Sequence, residues 1–301
     1  MISDIRRIQA LHQLAERGTV TAAAAALGYT PSAVSQQLAA LEAELGVPVI
    51  ERRGRNVVLT DAGHVLLQHG RDALTALELA ESTVAELQGE PVGPVRIGAL
   101  ASATASLITH ALRTVMAEYP RLEPNVVVHP LDRNVEELRL GALDIAVDQS
   151  YKLSPHSMFD GLEVTELLTE PLLLLSPQDT PCETVDEAAD LDWVCSPADS
   201  ACGRSTAGIA ARYGIAPRYR YETDDHFATV RLVGAGLAVA VLPALALLHP
   251  PDGVHTAVVP GAARTISAAT RPSARSRPAV ATVIEHLTIA ADAFRLDSLA
   301  A

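Results

Sequence analysis

Aromatic side chains are scarce: 3% of the 301 residues are Phe, Trp or Tyr, with a single tryptophan among them. Cores must then be built from the Ala, Val and Leu within the 49% hydrophobic fraction, an apolar content that excludes a disordered chain. Three cysteines at irregular positions exclude a disulfide framework and suit a reducing compartment. No uninterrupted apolar stretch opens the chain, so "MISDIRRIQALHQLAERG" reads as an amphipathic helix rather than a secretory leader. The longest apolar run, Leu232 to Leu248, contains Pro243 and two glycines. It is expected to be a buried helix end followed by a buried strand, not a membrane span. Also missing are a Gly-rich phosphate loop, a G-x-S-x-G elbow and any His/Cys/Asp/Glu set at metal-ligand spacing. "ACGRSTAG" is too short and isolated to serve as a nucleotide loop. These absences point away from an enzyme. The expectation is a cytoplasmic chain with no cofactor, no metal and no membrane.

What is present is unevenly placed. The net charge is −13, yet residues 1–65 balance six arginines (Arg6, Arg7, Arg17, Arg52, Arg53, Arg55) against six acids. The acid surplus belongs entirely to the remainder. A small neutral module with arginines clustered in "ERRGRN" can approach a polyanion that would repel the rest of the chain.

Local signals in that module are ordered. Ile5, Ile8, Leu11, Leu14 and Ala15 mark one amphipathic helix ending at Gly18, and Thr19 or Thr21 caps a second that stops at Gly28. In "LGYTPSAVSQQLAALEAELG", Thr30 is an N-cap, Pro31 fits the first helical position and Gly46 is a stop. Val34, Leu38, Leu41 and Leu45 share one face. Ser32, Gln36, Ala39 and Ala43 lie opposite, with Ser35 on the flank. Two short helices about a glycine turn form a helix-turn-helix, whose second helix enters the major groove. "VPVIER" and "RNVVLT" then read as a hairpin, a wing with arginines at its tip. Thr60 caps a long helix through Leu87. Within it Leu66, Gly70, Ala73, Leu77, Ala80, Val84 and Leu87 follow coiled-coil spacing.

The stretch "GTVTAAAAALGYTPSAVSQQLAALEAELGVPVIERRGRNVVLTDAG" resembles the N-terminal signature of LysR-type transcriptional regulators, and weaker motifs extend the resemblance almost to the C-terminus. It implies a double-stranded operator, a small-molecule effector and homodimers or homotetramers. The residues expected at DNA are Thr21, Thr30, Pro31, Ser32, Ser35, Gln36, Arg52, Arg53 and Arg55. Two departures stand out: Ala22 and Gln36 occupy positions where many members carry a basic residue and an arginine. Phosphate contacts are then fewer, and Gln36 suits the N6/N7 edge of adenine.

"GEPVGP" (Gly89–Pro94) reads as a hinge. Beyond it, strand and helix patterns alternate from "VRIGAL" through "LAVAVLP" to a closing helix, "AVATVIEHLTIAADAF", which indicates an α/β sheet. The expected fold class is α/β with an all-helical winged helix-turn-helix N-terminal domain. The resemblance implies a two-lobed effector domain like periplasmic binding proteins. The expected division is 1–60 for DNA binding, 61–88 for the linker helix and 89–301 for the effector domain. Lobe I takes about 91–160 plus 266–301 and lobe II about 161–265. Ligands of open α/β sheets bind beyond strand carboxyl ends, at helix N-termini. That rule selects Ser102, Ala103, Thr104, Gln149, Ser150, Ser200, Ala201, Cys202, Thr223 and Asp224, although Ser, Thr and Asp at such places are also ordinary helix caps. Ser102 and Thr104 together would hold an anionic or carbonyl group, such as a carboxylate. An alternative follows from peroxide-sensing members of the family, which use a cysteine pair; here that would be Cys195 and Cys202. A third reading is an α/β enzyme with an accessory DNA-binding domain.

Overall fold

A computed structural model describes residues 2–53, 56–86, 91–129, 131–153, 159–247 and 253–300. Three helices open the chain: α1 (Ile5–Arg17), α2 (Val20–Leu27) and α3 (Pro31–Leu45). Each starts at a side chain that accepts from its own first turn, namely Asp4, Thr19 and Thr30, so Thr19 rather than Thr21 caps α2. Leu11, Leu38 and Leu41 are enclosed at their centre. The hairpin β1 (Ile50–Arg53) and β2 (Asn56–Leu59) follows, pairing Ile50 with Leu59. Gly54 and Arg55, at the expected wing tip, lie outside the described residues.

Helix α4 (Asp61–Glu86) is pinned at its start by Thr60, whose Oγ1 accepts from Gly63 N (3.1 Å) and donates to Pro48 O (2.8 Å). The expected seam divides along its length. Leu66 is half-buried against the core of the first three helices, and a Cβ on Gly70 would stand 2.7 Å from Ile8 Cγ2. The missing side chain of Gly70 thus admits α1 of the same chain, not a partner helix. Ala73, Leu77, Ala80 and Val84 are exposed and continue the stripe, while Leu87 lies outside the described residues. The expected hinge is shortened too. Residues 89 and 90 are not described, but Gly93 and Pro94 already belong to β3 (Gly93–Ala99). Pro94 is tolerated there because β5 joins β3 only from Ile97 onward.

After β3 come α5 (Ala101–Ala103), a π-turn (Thr104–Ile108) and α6 (Thr109–Glu118), a continuous helical rod. Then follow β4 (Leu122–Val128), α7 (Leu131–Arg139), β5 (Ile145–Tyr151) and β6 (Glu163–Pro177). Next are β7 (Asp192–Cys195), α8 (Ala201–Tyr213), β8 (Arg218–Glu222), α9 (His226–Gly234) and β9 (Ala240–Pro243). The chain closes with β10 (Val254–Thr270), α10 (Pro272–Arg275) and α11 (Pro278–Ala300). Six strands form one sheet in the order β4-β3-β5-β10-β6-β9, and β7 pairs with β8 in a second. The sheet is parallel from β4 to β5 and antiparallel beyond.

The two lobes have separate α/β cores on that sheet. One gathers Ile97, Leu107, Ile145, Ile266 and Val283; the other gathers Leu172, Leu174, Ile209 and Trp193, whose indole N–H donates to Ala188 O (3.0 Å). Leu167 and Leu168 pack in the first core and Leu172 in the second, so the division falls inside β6 near Glu170 and Pro171, later than the expected 161. In β10 it falls at an irregularity between Val258 and Ala263, a stretch that includes Pro260 and Gly261. An inserted segment of this kind bends a ladder without ending it.

The first lobe is fastened to its own edge by Asp144, which is fully enclosed. Its carboxylate accepts from Arg96 N (2.8 Å), the Arg96 guanidinium (3.1 Å) and Arg277 Nη1 (2.8 Å). Burial opposes the charge, but Arg96 and Arg277 outweigh it and hold the carboxyl below its ordinary value of 3.8.

Candidate functional sites

The first site is a surface. Ser32, Ser35, Gln36, Ala39 and Ala43 are exposed along α3, while Val34, Leu38 and Leu41 are buried behind them. Thr30 is exposed and accepts from Ala33 N (3.2 Å), and Thr21 is exposed in the first turn of α2. Arg52 and Arg53 lie in β1, and Arg55 lies outside the described residues. The face has no carboxylate, and a row of small hydrogen-bonding side chains is narrow enough for a groove about 12 Å wide.

The second site is a cleft of about 320 Å³ between the lobes. Ser102, Gln149, Ser200, Ala201, Cys202 and Asp224 line it, as expected. Four other expected residues do not. Ala103 is enclosed in the first core. Thr104 donates its hydroxyl to Leu100 O (2.9 Å), one turn back on its own helix. Ser150 lines a separate hollow beside Thr169 and Thr265, because alternate residues of a strand face opposite sides. Thr223 accepts from Asp225 N (3.1 Å) in a local turn. For Thr104 and Thr223 the helix-and-turn role is what the hydroxyl does.

The cleft is organised by a residue not anticipated, Arg264, which has no exposed surface. Its Nε donates to Glu170 Oε1 (2.8 Å), and its Nη2 also reaches that oxygen (2.5 Å). Its Nη1 donates to Ser102 Oγ (3.0 Å) and Gln149 Oε1 (2.8 Å). Glu170 Oε2 in turn accepts from Leu245 N (2.6 Å). One guanidinium thus ties the helix after β3, the end of β5 and the crossing point in β6. Tyr151 donates to Gln149 Oε1 (3.2 Å), and burial raises its phenol well above the usual range. Burial, then Arg264, lowers the imidazole of His226 despite Asp224 and Asp225. Asp148, Asp199 and Asp224 bring carboxylates to the same cleft. A signal for the central pair was present: a lone glutamate in "LLTEPLLLL" and a lone arginine in "PGAARTISAAT" each require a partner once buried.

Leu100 offers no side-chain cap to α5, and Leu100, Ala101 and Ser102 all line the cleft. The first-turn amides there lack a side-chain acceptor from Leu100, the usual setting for an anionic or carbonyl oxygen. The cysteine pair has a different character. Cys195 is pushed up to about 11 by burial, so its thiolate is suppressed, and both Cys195 and Cys202 are free thiols. Among the described residues no group of three or more His, Cys, Asp or Glu converges to hold a metal, and no helix is long and apolar enough to cross a membrane.

Comparison with known proteins bears on both sites. The lysR-family bacterial regulatory helix-turn-helix profile matches residues 5–64, and the LysR substrate binding domain profile matches residues 88–292. The transcriptional regulator ShiR of Corynebacterium glutamicum (strain R) is 32% identical over 262 residues, covering 84% of this chain and 87% of its own. A full-length OxyR from Pseudomonas aeruginosa superposes with TM-score 0.75 at 20% identity, covering 95% of each chain. Full-length CbnR complexed with its target DNA superposes with TM-score 0.56 at 23% identity, covering 96% of this chain and 99% of that one. With both profiles matched in order over the N-terminal helices and the two-lobed α/β domain, the chain belongs to the LysR-type family of transcriptional regulators.

Proposed function

We propose that this regulator is not an enzyme and reads a double-stranded operator with the exposed face of α3 while an effector occupies the cleft around Arg264. The observation that carries the reading is the capped, carboxylate-free polar face of α3, backed by a core of Val34, Leu38 and Leu41. Ser32, Ser35 and Gln36 contact base edges or adjacent phosphates, and Thr21 and Thr30 face the backbone. Arg52, Arg53 and Arg55 hold the flanking strand. CbnR complexed with its target DNA supports the docking by likeness. Replacing Gln36 with Ala should cost about 1–3 kcal/mol at one base pair and relax specificity there. Binding isotherms over operators varied one position at a time decide this. Uniform weakening at every position would remove Gln36 from the groove.

The effector carries an anionic or carbonyl oxygen, such as a carboxylate, toward Ser102 and the uncapped start of α5. It carries hydrogen-bond donors toward Asp148 and Asp224. That mixed lining favours a small polar metabolite with both groups over a simple dicarboxylate. The suppressed thiolate of Cys195 weighs against peroxide sensing. Ala73, Leu77, Ala80 and Val84 supply the contact between two copies of α4, so the operator-bound unit is a homodimer or a tetramer built from dimers.

A further inference from the structure

A second polar cavity, of about 160 Å³, lies where the N-terminal helices meet the first lobe. Gln9, His12 and Gln13 of α1, Arg71 of α4 and Arg96 of β3 face it, with Gly141 behind α7. No carboxylate is among its lining residues. Arg71 is 5% exposed, and among the described residues its Nε and Nη1 have no hydrogen-bond partner. The approach is close by construction. Gly141 has φ +77°, and a Cβ on it would stand 3.1 Å from Arg71 Cβ. That backbone region disfavours side chains, so glycine both makes the turn and clears the way for the arginine.

A guanidinium keeps its proton inside a protein, so burial cannot neutralise it. An enclosed cation without a bonded anion is strongly unfavourable. The nearby charges do not resolve this. Burial weighs most against Arg71; Glu16 opposes it without a hydrogen bond, Arg96 and Arg271 add repulsion, and Glu137 contributes least, so the net effect still lowers the group. Among the described residues, the carboxylates at this junction are taken up elsewhere: Asp144 by Arg96 and Arg277, and Glu16 by the Gln13 amide (3.0 Å). His12, 6% exposed, is held neutral by burial and by the two arginines, leaving an imidazole able to donate one hydrogen bond. The space exceeds what a single water occupies several times over and accepts a tetrahedral oxyanion.

We infer that this cavity is a binding site for a small inorganic oxyanion of the phosphate or sulfate type, held by Arg71 and Arg96 with His12 and the Gln9 amide as neutral donors. The site draws on α1 and α4 on one side and on β3 and the Gly141 turn on the other. Its occupant therefore joins the DNA-reading half to the first lobe, independently of the cleft around Arg264.

The test uses the full chain and inorganic phosphate, with chloride at matched ionic strength as the reference. Phosphate should raise Tm saturably above chloride, because a ligand bound only by the folded form stabilises it. Arg71→Met should abolish the phosphate-specific rise. Gln9→Glu places a fixed carboxylate in the cavity from a half-buried helix position, and should weaken phosphate at least about tenfold. Ser102→Ala, in the interlobe cleft, should leave the rise intact. Equal Tm in phosphate and chloride overturns the proposal. So does a rise that survives Gln9→Glu or disappears with Ser102→Ala, which would place the anion in the cleft.

Discussion

At the scale of single residues, two hydroxyls two positions apart separate a ligand contact from a helix bond. Ser102 Oγ meets Arg264 in the cleft, whereas Thr104 Oγ1 is committed to Leu100 O. Replacing Ser102 with Ala should lower effector affinity about five- to fiftyfold, the range for losing one hydrogen bond near a charged group. Unliganded operator affinity should remain near that of the parent. Thr104→Val should leave the effector response unchanged. Effector titrations of operator binding by both variants check this, and an equal loss in the two would mean that the whole start of the helix, not the Ser102 hydroxyl, is the contact. The cleft is half legible in the sequence. Helix starts and strand ends are local features, so Ser102, Ser200 and Asp224 could be placed from neighbouring residues alone. Arg264 could not, because its meaning depends on Glu170 and Ser102, which are distant along the chain. Thr104 and Thr223 have the right chemistry at the right turn, but their hydroxyls are taken up locally.

Among elements, α4 shows why a repeat alone does not name its partner. Leu66 and Gly70 obey the same spacing as Leu77 and Val84, yet the first pair faces α1 and the second faces outward. Leu77 is 44% exposed and Val84 64%, on the outward side of α4. Leu77→Asp should convert the protein to smaller oligomers by light scattering and weaken operator binding at least about tenfold, since separate half-sites lose their effective concentration. An unchanged mass would place the dimer contact off this stripe. Most strands and helices were legible because each buries its own apolar run, as "DIAVD" and "LLLLS" do. The first half of β10 was not. "VHTAVV" is mixed in character, and it becomes a strand only because Leu173 to Pro177 lie opposite. The π-turn after α5 escaped for a similar reason: "TASLI" has ordinary helical character, and Thr109 Oγ1 donates to Thr104 O (2.6 Å) only within that wider turn.

For the whole molecule, the two halves are coupled through protons as well as packing. His12 is lowered from 6.5 to about 3 by burial, then by Arg71 and Arg96; the Glu16 carboxylate 3.6 Å from its Nδ1 does not reverse this. The unfolded chain binds a proton below pH 6.5 that the folded chain refuses, so stability must fall as pH drops from 6.5 toward 3. Asp144 acts in the same direction only at lower pH, where the unfolded carboxyl begins to protonate near 3.8. Denaturant midpoints of His12→Gln should therefore be flatter than the parent between pH 6 and 4.5, a window chosen to lie between these two values. Parallel curves would show that His12 is not the group responsible. The shared ribbon of β6 and β10 has a consequence for the history of such a molecule. The first lobe is not a contiguous length of chain: the second is inserted into it, and both strands give one half to each. Cutting and rejoining the gene cannot trade one lobe for another without severing two central strands. A new ligand preference must instead arise in place, by exchange of individual side chains around a cleft whose two walls are inherited together.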